Sequence, residues 1–81
     1  MSDKKVEELA SDVVQRLKAA RTALLAEMHA LGLTAANGWR VIEELRHTTE
    51  GTEWTFRPMH LREHLPDLSS TVLIDHDGRP V

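Results

Sequence analysis

The chain has 81 residues, of which 41% are hydrophobic and 28% are charged, with a formal net charge of −3 and no cysteine. This length accommodates a single domain, 1–81, that buries only about 60% of the surface its unfolded chain would expose. The absence of cysteine excludes disulfides, thiolate metal sites and cysteine nucleophiles, and it favours a cytoplasmic location. The slight negative charge gives no long-range attraction to nucleic acid, and no stretch approaches about 20 continuous apolar residues, so we expect no membrane segment.

The first element is a long helix, predicted over residues 3–31. Ser2 or Asp3 can cap its start, and Gly32 follows its last periodic residue, where a helix C-terminus favours glycine. Leu33 would then contact Met28 and close the helix end. Apolar residues recur at helical spacing and form a stripe that should face the core: Val6, Leu9, Ala10, Val13, Val14, Leu17, Ala20, Leu24, Leu25, Met28 and Leu31.

Residues 39–57 change to a period of two, which predicts a β-hairpin with its loop at 48–51. If His47 faces Thr52, Arg46 lies opposite Glu53 as a favourable cross-strand pair. One face of this hairpin collects the large apolar side chains, with Glu43 as its only charged residue: Trp39, Val41, Leu45, Trp54 and Phe56. The competing interpretation is a second helix over 35–46. The turn-forming residues 37–38 in its first turn argue against it.

The remainder of the chain predicts a third strand. Pro58 suits a first helical position and Pro66 forbids continuation, so 58–65 is either a short helix or an extension of the hairpin strand to about His60. Residues 70–74 are rich in β-formers, and 75–78 are typical of a turn. Residues 79–81 are either a stub of an edge strand or a frayed tail. The predicted fold class is α+β, with the N-terminal helix packed on a three-stranded antiparallel β-meander at 39–76.

The motif with the sharpest chemistry is His60-Leu61-Arg62-Glu63-His64, which has the spacing H-x-x-E-H. On a helix, His60 and His64 would share a face and could hold zinc, with Glu63 nearby as a base. A zinc enzyme also needs a third ligand and a substrate cleft, for which this chain has little room. The simpler interpretation is a solvated segment with two surface histidines, and we expect no cofactor and no catalytic residue.

Four arginines offer an alternative surface for nucleic acid. Arg40, Arg46 and Arg57 share the outer face of the predicted sheet, and Arg62 follows a little beyond. Glu44 and Glu53 interleave with them, which favours a salt-bridged, solvated surface over a phosphate-binding one.

The helix also has a second, narrower apolar stripe, made of alanines alone. Small residues allow two helix backbones to approach closely, although alanine also simply favours helix formation. A helix of 29 residues would be about 43 Å long and would overhang strands of about 30 Å. A small core often gains stability by oligomerisation. The interface predicted on this basis consists of Ala19, Ala23, Ala26, Ala30, Leu24 and Leu31.

The leading hypothesis is therefore a non-catalytic protein-interaction or accessory module that self-associates through its helix, as a homodimer or with another protein. The alternatives are a dimeric, winged-helix-like nucleic-acid-binding regulator and a small metal-dependent enzyme built on the H-x-x-E-H segment. A composition rich in alanine, leucine and arginine, with no tyrosine, points to a bacterial source.

Overall fold

One helix packs on a three-stranded antiparallel sheet, as a computed structural model describes for residues 10–81. The elements are helix α1 (Ser11–Ala30), a 3₁₀ turn (Ala35–Asn37) and strands β1 (Arg40–Thr48), β2 (Gly51–Met59) and β3 (Ser70–Ile74). The strand order is β1-β2-β3. The predicted α+β class and the three-stranded meander are confirmed.

Helix α1 starts later than predicted. Ala10 has φ −58° and ψ 144°, which are extended values, so the described helix does not include it. The predicted caps Ser2 and Asp3, together with Val6 and Leu9, lie outside the described residues. Twenty residues give α1 a length of about 30 Å, which matches the nine-residue strands rather than overhanging them along the helix axis.

The C-terminus of α1 closes as predicted. Gly32 has φ 76° and donates its backbone N–H to the carbonyl of His29 at 3.0 Å. Leu33 donates to the carbonyl of Met28 at 2.8 Å, which is the hydrogen-bond pair of a Schellman motif. The side chain of Leu33 packs against the core cluster that contains Met28, so the chain turns back toward the sheet.

The hairpin register is the predicted one. His47 pairs with Thr52, and Arg46 pairs with Glu53. Residues 35–46 do not form a second helix, because after the 3₁₀ turn the chain passes through Gly38 at φ 90° and enters β1 at Arg40. The pairing of β1 with β2 continues without interruption from the pair of Thr48 with Gly51 to the pair of Arg40 with Met59.

Residues 58–65 do not form a helix. Strand β2 continues through Pro58 to Met59, and no regular element follows until β3 begins at Ser70. Pro58 is buried and pairs with Val41, while β3 pairs only with residues 52–56 of β2. Proline lacks a backbone donor, and it is tolerated at this point because β2 has a neighbouring strand on one side only.

Two clusters of buried residues form the core between α1 and the sheet. Leu24 and Met28 pack with Trp39 and Phe56, and Val13 packs with two residues of β3, Val72 and Ile74. Leu17, Ala20 and Trp54, all half-buried, contact both clusters and join them. The aromatic residues are therefore part of the core, as predicted. Leu25 and Leu31 of the predicted stripe are instead exposed.

The C-terminal residues fold back along the end of β3. Asp75 Oδ1 accepts the backbone N–H groups of Asp77 and Arg79 at 2.9 and 3.0 Å, which confirms the predicted turn. Pro80 then forms a bridge with Ile74, and Val81 donates its N–H to the carbonyl of Leu73 at 2.9 Å. The stub of an edge strand is the correct alternative for residues 79–81.

Candidate functional site

Helix α1 lies to one side of the sheet. It packs most extensively on β3, less on β2 and hardly at all on β1. Beyond Val41, which packs against the core, the inner face of β1 (the face on the helix side) is therefore left open. Leu45 lies on that face opposite Trp54 and remains 53% exposed. The predicted overhang of the helix beyond the ends of the strands is not seen in residues 10–81. Instead, the sheet extends sideways beyond the helix by one strand.

An apolar groove runs between α1 and the start of β1. Its volume is about 800 Å³. We call this groove, together with the inner face of β1, the open side of the molecule. The groove is lined along α1, along the connection to the sheet and along β1 by Arg21, Thr22, Leu25, Ala26, Met28, His29, Leu33, Thr34, Ala35, Trp39, Arg40 and Val41.

The chemistry of the groove is apolar with a cationic rim. Met28 and Trp39 are buried in its base, Val41 is half-buried, and Leu25 is 38% exposed at its wall. Arg21 and Arg40 are the charged side chains of the lining, and both are exposed. Nothing in the periodicity distinguishes Leu25 from Leu24, since both continue the same apolar stripe. The groove therefore could not be predicted from the sequence, because its existence depends on which strands the helix covers.

The predicted interface residues fall into two groups. Ala19, Ala23, Ala26, Ala30 and Leu31 are exposed on α1 or at its end, and Ala26 also lines the groove. Leu24 is only 1% exposed and packs with Met28, Trp39 and Phe56. Its assignment to an interface was wrong, because its side chain is already covered by the chain's own sheet.

Both ring nitrogens of His60 bind backbone groups. Nε2 lies 2.9 Å from the carbonyl oxygen of Asn37, and Nδ1 accepts the N–H groups of Arg62 and Glu63 at 3.0 and 2.9 Å. A carbonyl only accepts and an N–H only donates, so the ring carries its hydrogen on Nε2. The ring also lies 4.9 Å from the Trp39 ring, centroid to centroid.

This arrangement leaves His60 no lone pair for a metal ion. His64 and Glu63 are exposed on a segment that is not helical, so the helical face required for the zinc interpretation does not form. Among residues 10–81 there is no group of three histidine, aspartate or glutamate side chains placed to hold a metal. Through its hydrogen bonds, His60 instead links the segment after β2 to the 3₁₀ turn before β1.

Replacing His60 with leucine should destabilise the domain, because the carbonyl of Asn37 and two backbone N–H groups lose their partner. We expect a loss of about 1–2 kcal/mol in the free energy of unfolding by urea, since water replaces part of what is removed. His64→Leu is the matched control and should change stability by less than about 0.5 kcal/mol. Equal effects of the two substitutions would mean that the ring hydrogen bonds of His60 contribute nothing.

The four arginines do not form a free cationic surface. Arg46 Nε lies 3.0 Å from Glu53 Oε1, and Arg57 Nε lies 2.9 Å from Glu44 Oε1. These pairs neutralise Arg46 and Arg57 on the outer face of the sheet, the face turned away from α1. Arg40 lines the groove rim, and Arg62 is exposed in the segment after β2. Phosphate contacts by Arg46 and Arg57 would compete with these ion pairs.

Glu43, the one charged residue on the inner face, has a partner there. Its Oε1 accepts the indole Nε1–H of Trp54 at 2.9 Å. The two residues lie on neighbouring strands two positions apart in register, a diagonal pair that the hairpin pattern contained.

No protein-family model matches this chain, and neither the curated proteins nor the solved structures give a match. None of the described helices is long and apolar enough to cross a membrane.

Proposed function

We propose that this protein is a small non-catalytic interaction module that self-associates through its open side. The observation that supports this most directly is the lateral position of α1, which leaves Leu45 and Leu25 exposed beside a groove with a buried apolar base. Covering apolar surface of this kind stabilises an assembly by about 25 cal/mol for each Å² removed from water. A domain with so small a core gains proportionately from such burial.

The chemistry of the open side favours protein over nucleic acid or a reactive substrate. Its lining is mostly aliphatic and aromatic, and its two arginines stand at the rim rather than in a row. The arginines of the outer face are paired with carboxylates. The proposal includes a homodimer located in the cytoplasm. The cytoplasmic location is supported by the lack of cysteine.

The test is the absolute mass of the eluting protein by light scattering, measured over a range of concentrations. We expect a dimer of 18.4 kDa, twice the 9.2 kDa of one chain. A mass of 9.2 kDa at every concentration would refute self-association and leave the groove to a different protein.

Two arginine substitutions locate the interface. Leu45→Arg places a cation on the exposed inner face of β1 and should shift the mass toward the monomer. Ala23→Arg, on the alanine stripe, is the matched control and should leave the mass unchanged. Both positions are exposed, so far-UV circular dichroism should report the same helix content for each. The opposite result, dissociation by Ala23→Arg alone, would move the interface to the alanine stripe.

A further inference from the structure

Strand β1 is the exposed edge of the sheet. It is nine residues long, and its pairing with β2 has no bulge. It contains neither proline nor lysine, two means by which natural edge strands prevent pairing with another chain. Its one inward-pointing carboxylate, Glu43, already accepts a hydrogen bond from Trp54 within the chain. The opposite edge is the five-residue β3, and the bridge to Pro80 covers its end. Of the two edges described, β1 is therefore the one at which another strand can pair along a long, uncovered backbone.

A second copy of β1 can add to this edge only in a few registers. Two identical antiparallel strands are related by a two-fold axis, which places one residue opposite itself. An axis at Glu43, Glu44 or Arg46 would bring like charges directly opposite each other, which is unfavourable. An axis at Ile42 pairs only five β1 residues, 40–44, and sets Val41 against a carboxylate.

An axis at Leu45 gives the best match. It pairs seven residues, 42–48, and places the two half-exposed Leu45 side chains against each other. Glu44 then faces the partner's Arg46, and Glu43 faces the partner's His47. By symmetry each of these pairs occurs twice, so both carboxylates of β1 meet a basic side chain.

The ion pairs already present extend this match across the outer face. Arg57 forms an ion pair with Glu44, and Arg46 forms one with Glu53, each through the arginine Nε atom. The terminal nitrogens of Arg46 can therefore donate to a second carboxylate. In the dimer a row of alternating charge would run from Arg57 through Glu44 to the partner's Arg46 and the partner's Glu53.

We propose that two copies of this chain pair antiparallel through β1, with the two-fold axis at Leu45, to form a continuous six-stranded sheet. This inference rests on the proposed self-association and specifies its geometry. Each helix lies over β2 and β3, so the two helix axes would be four strand spacings apart, or about 19 Å. With helices about 10 Å wide, the two grooves would join into one trough floored by both β1 strands.

Single cysteines in this cysteine-free protein test the register. Residues opposite each other in antiparallel strands have Cα atoms about 4.5–5.5 Å apart, which suits a disulfide. Under mild oxidation at low protein concentration, Leu45→Cys should cross-link to a covalent dimer at least tenfold faster than Leu61→Cys, a fully exposed control off the strand. Ile42→Cys, which marks the rival axis, should behave like the control. Equal rates at all three positions, or the fastest at residue 42, would overturn the proposed register.

Charge reversal gives a second, independent test. Glu44→Arg and Arg46→Glu each set like charges opposite each other, so each variant alone should have a dimer dissociation constant at least about tenfold above that of the wild type. Mixed one to one, the two variants restore both opposite-charge pairs and should form a heterodimer, detected by native mass spectrometry. Circular dichroism should give the wild-type spectrum for each variant, which controls for folding. A wild-type dimer that neither substitution weakens would overturn the β1 pairing and leave the proposed function standing, whereas a monomeric wild type would overturn both.

Discussion

Replacing Leu24 with alanine should destabilise the domain by about 2–5 kcal/mol, the range for removing a buried leucine side chain. Leu24 is 1% exposed and packs with Met28, Trp39 and Phe56. These partners come from the helix, the residue before β1 and β2, so the surroundings are held from several directions and cannot easily collapse into the cavity. A domain of this size has a total stability of about 4–12 kcal/mol, and the loss is a large part of it.

The measurement is urea unfolding at one fixed protein concentration, because the proposed self-association would make the midpoint depend on concentration. Leu31→Ala is the matched control. Leu31 is 65% exposed at the end of the same helix, and its replacement should change stability by less than about 0.5 kcal/mol. Similar losses for the two variants would contradict the position of α1 on the sheet.

Replacing Gly51 with alanine should be at least as harmful. Gly51 begins β2 with φ 145°, a value that other residues rarely adopt. A Cβ at this position would collide with the carbonyl oxygen of Ile74 and lie 2.9 Å from Asp75 Cα. Both obstacles are backbone, so the end of β3 would have to separate from β2. We expect a loss of at least about 3 kcal/mol in the free energy of unfolding.

Gly78→Ala separates the two causes of that loss. Gly78 has φ 79°, but a Cβ there would have no atom within 4 Å. Its substitution should cost only the conformational penalty, about 1–2 kcal/mol. If urea unfolding gives equal values for the two alanine variants, the close approach of β3 to Gly51 has no energetic consequence.

The sheet could be predicted from the sequence because its alternation and its charges agree. Only one register places Arg46 opposite Glu53 and keeps Trp54 and Phe56 on the apolar face, and that register is observed. The strand at 39–47 was harder to assign, because its apolar spacing also suits a helix. Asn37 and Gly38 decide the matter, as they end the 3₁₀ turn and Gly38 adopts a positive φ.

The 58–65 segment was ambiguous because local preference and strand pairing disagree. Pro58 is typical of a helix start, yet pairing with Val41 and burial keep it in β2. Similarly, the H-x-x-E-H spacing predicts a shared helical face only where a helix exists. His60 binds three backbone groups instead, and that arrangement depends on loop geometry that residue spacing does not encode.

The open side could not be predicted, because all three strands carry apolar residues on their inner faces. Leu45 has the same alternation as Phe56, but Phe56 is 2% exposed and Leu45 is 53% exposed. The difference is set by which strands α1 covers. That choice follows from the packing of Val13 with Val72 and Ile74, a contact between the two ends of the chain.

The packing of α1 on β3 has a consequence for the chain while it is being synthesised on the ribosome. The helix is made before the sheet, and the strand that it contacts most, Ser70–Ile74, begins about 40 residues after the helix ends at Ala30. At about 5–20 residues per second, several seconds separate the two elements on the ribosome. The hairpin of β1 and β2 can form in that interval because its residues are neighbours in the sequence. The apolar face of α1 stays partly uncovered until β3 has been made. Nascent chains that stop short of β3 should therefore expose this helix and attract chaperones that bind apolar segments.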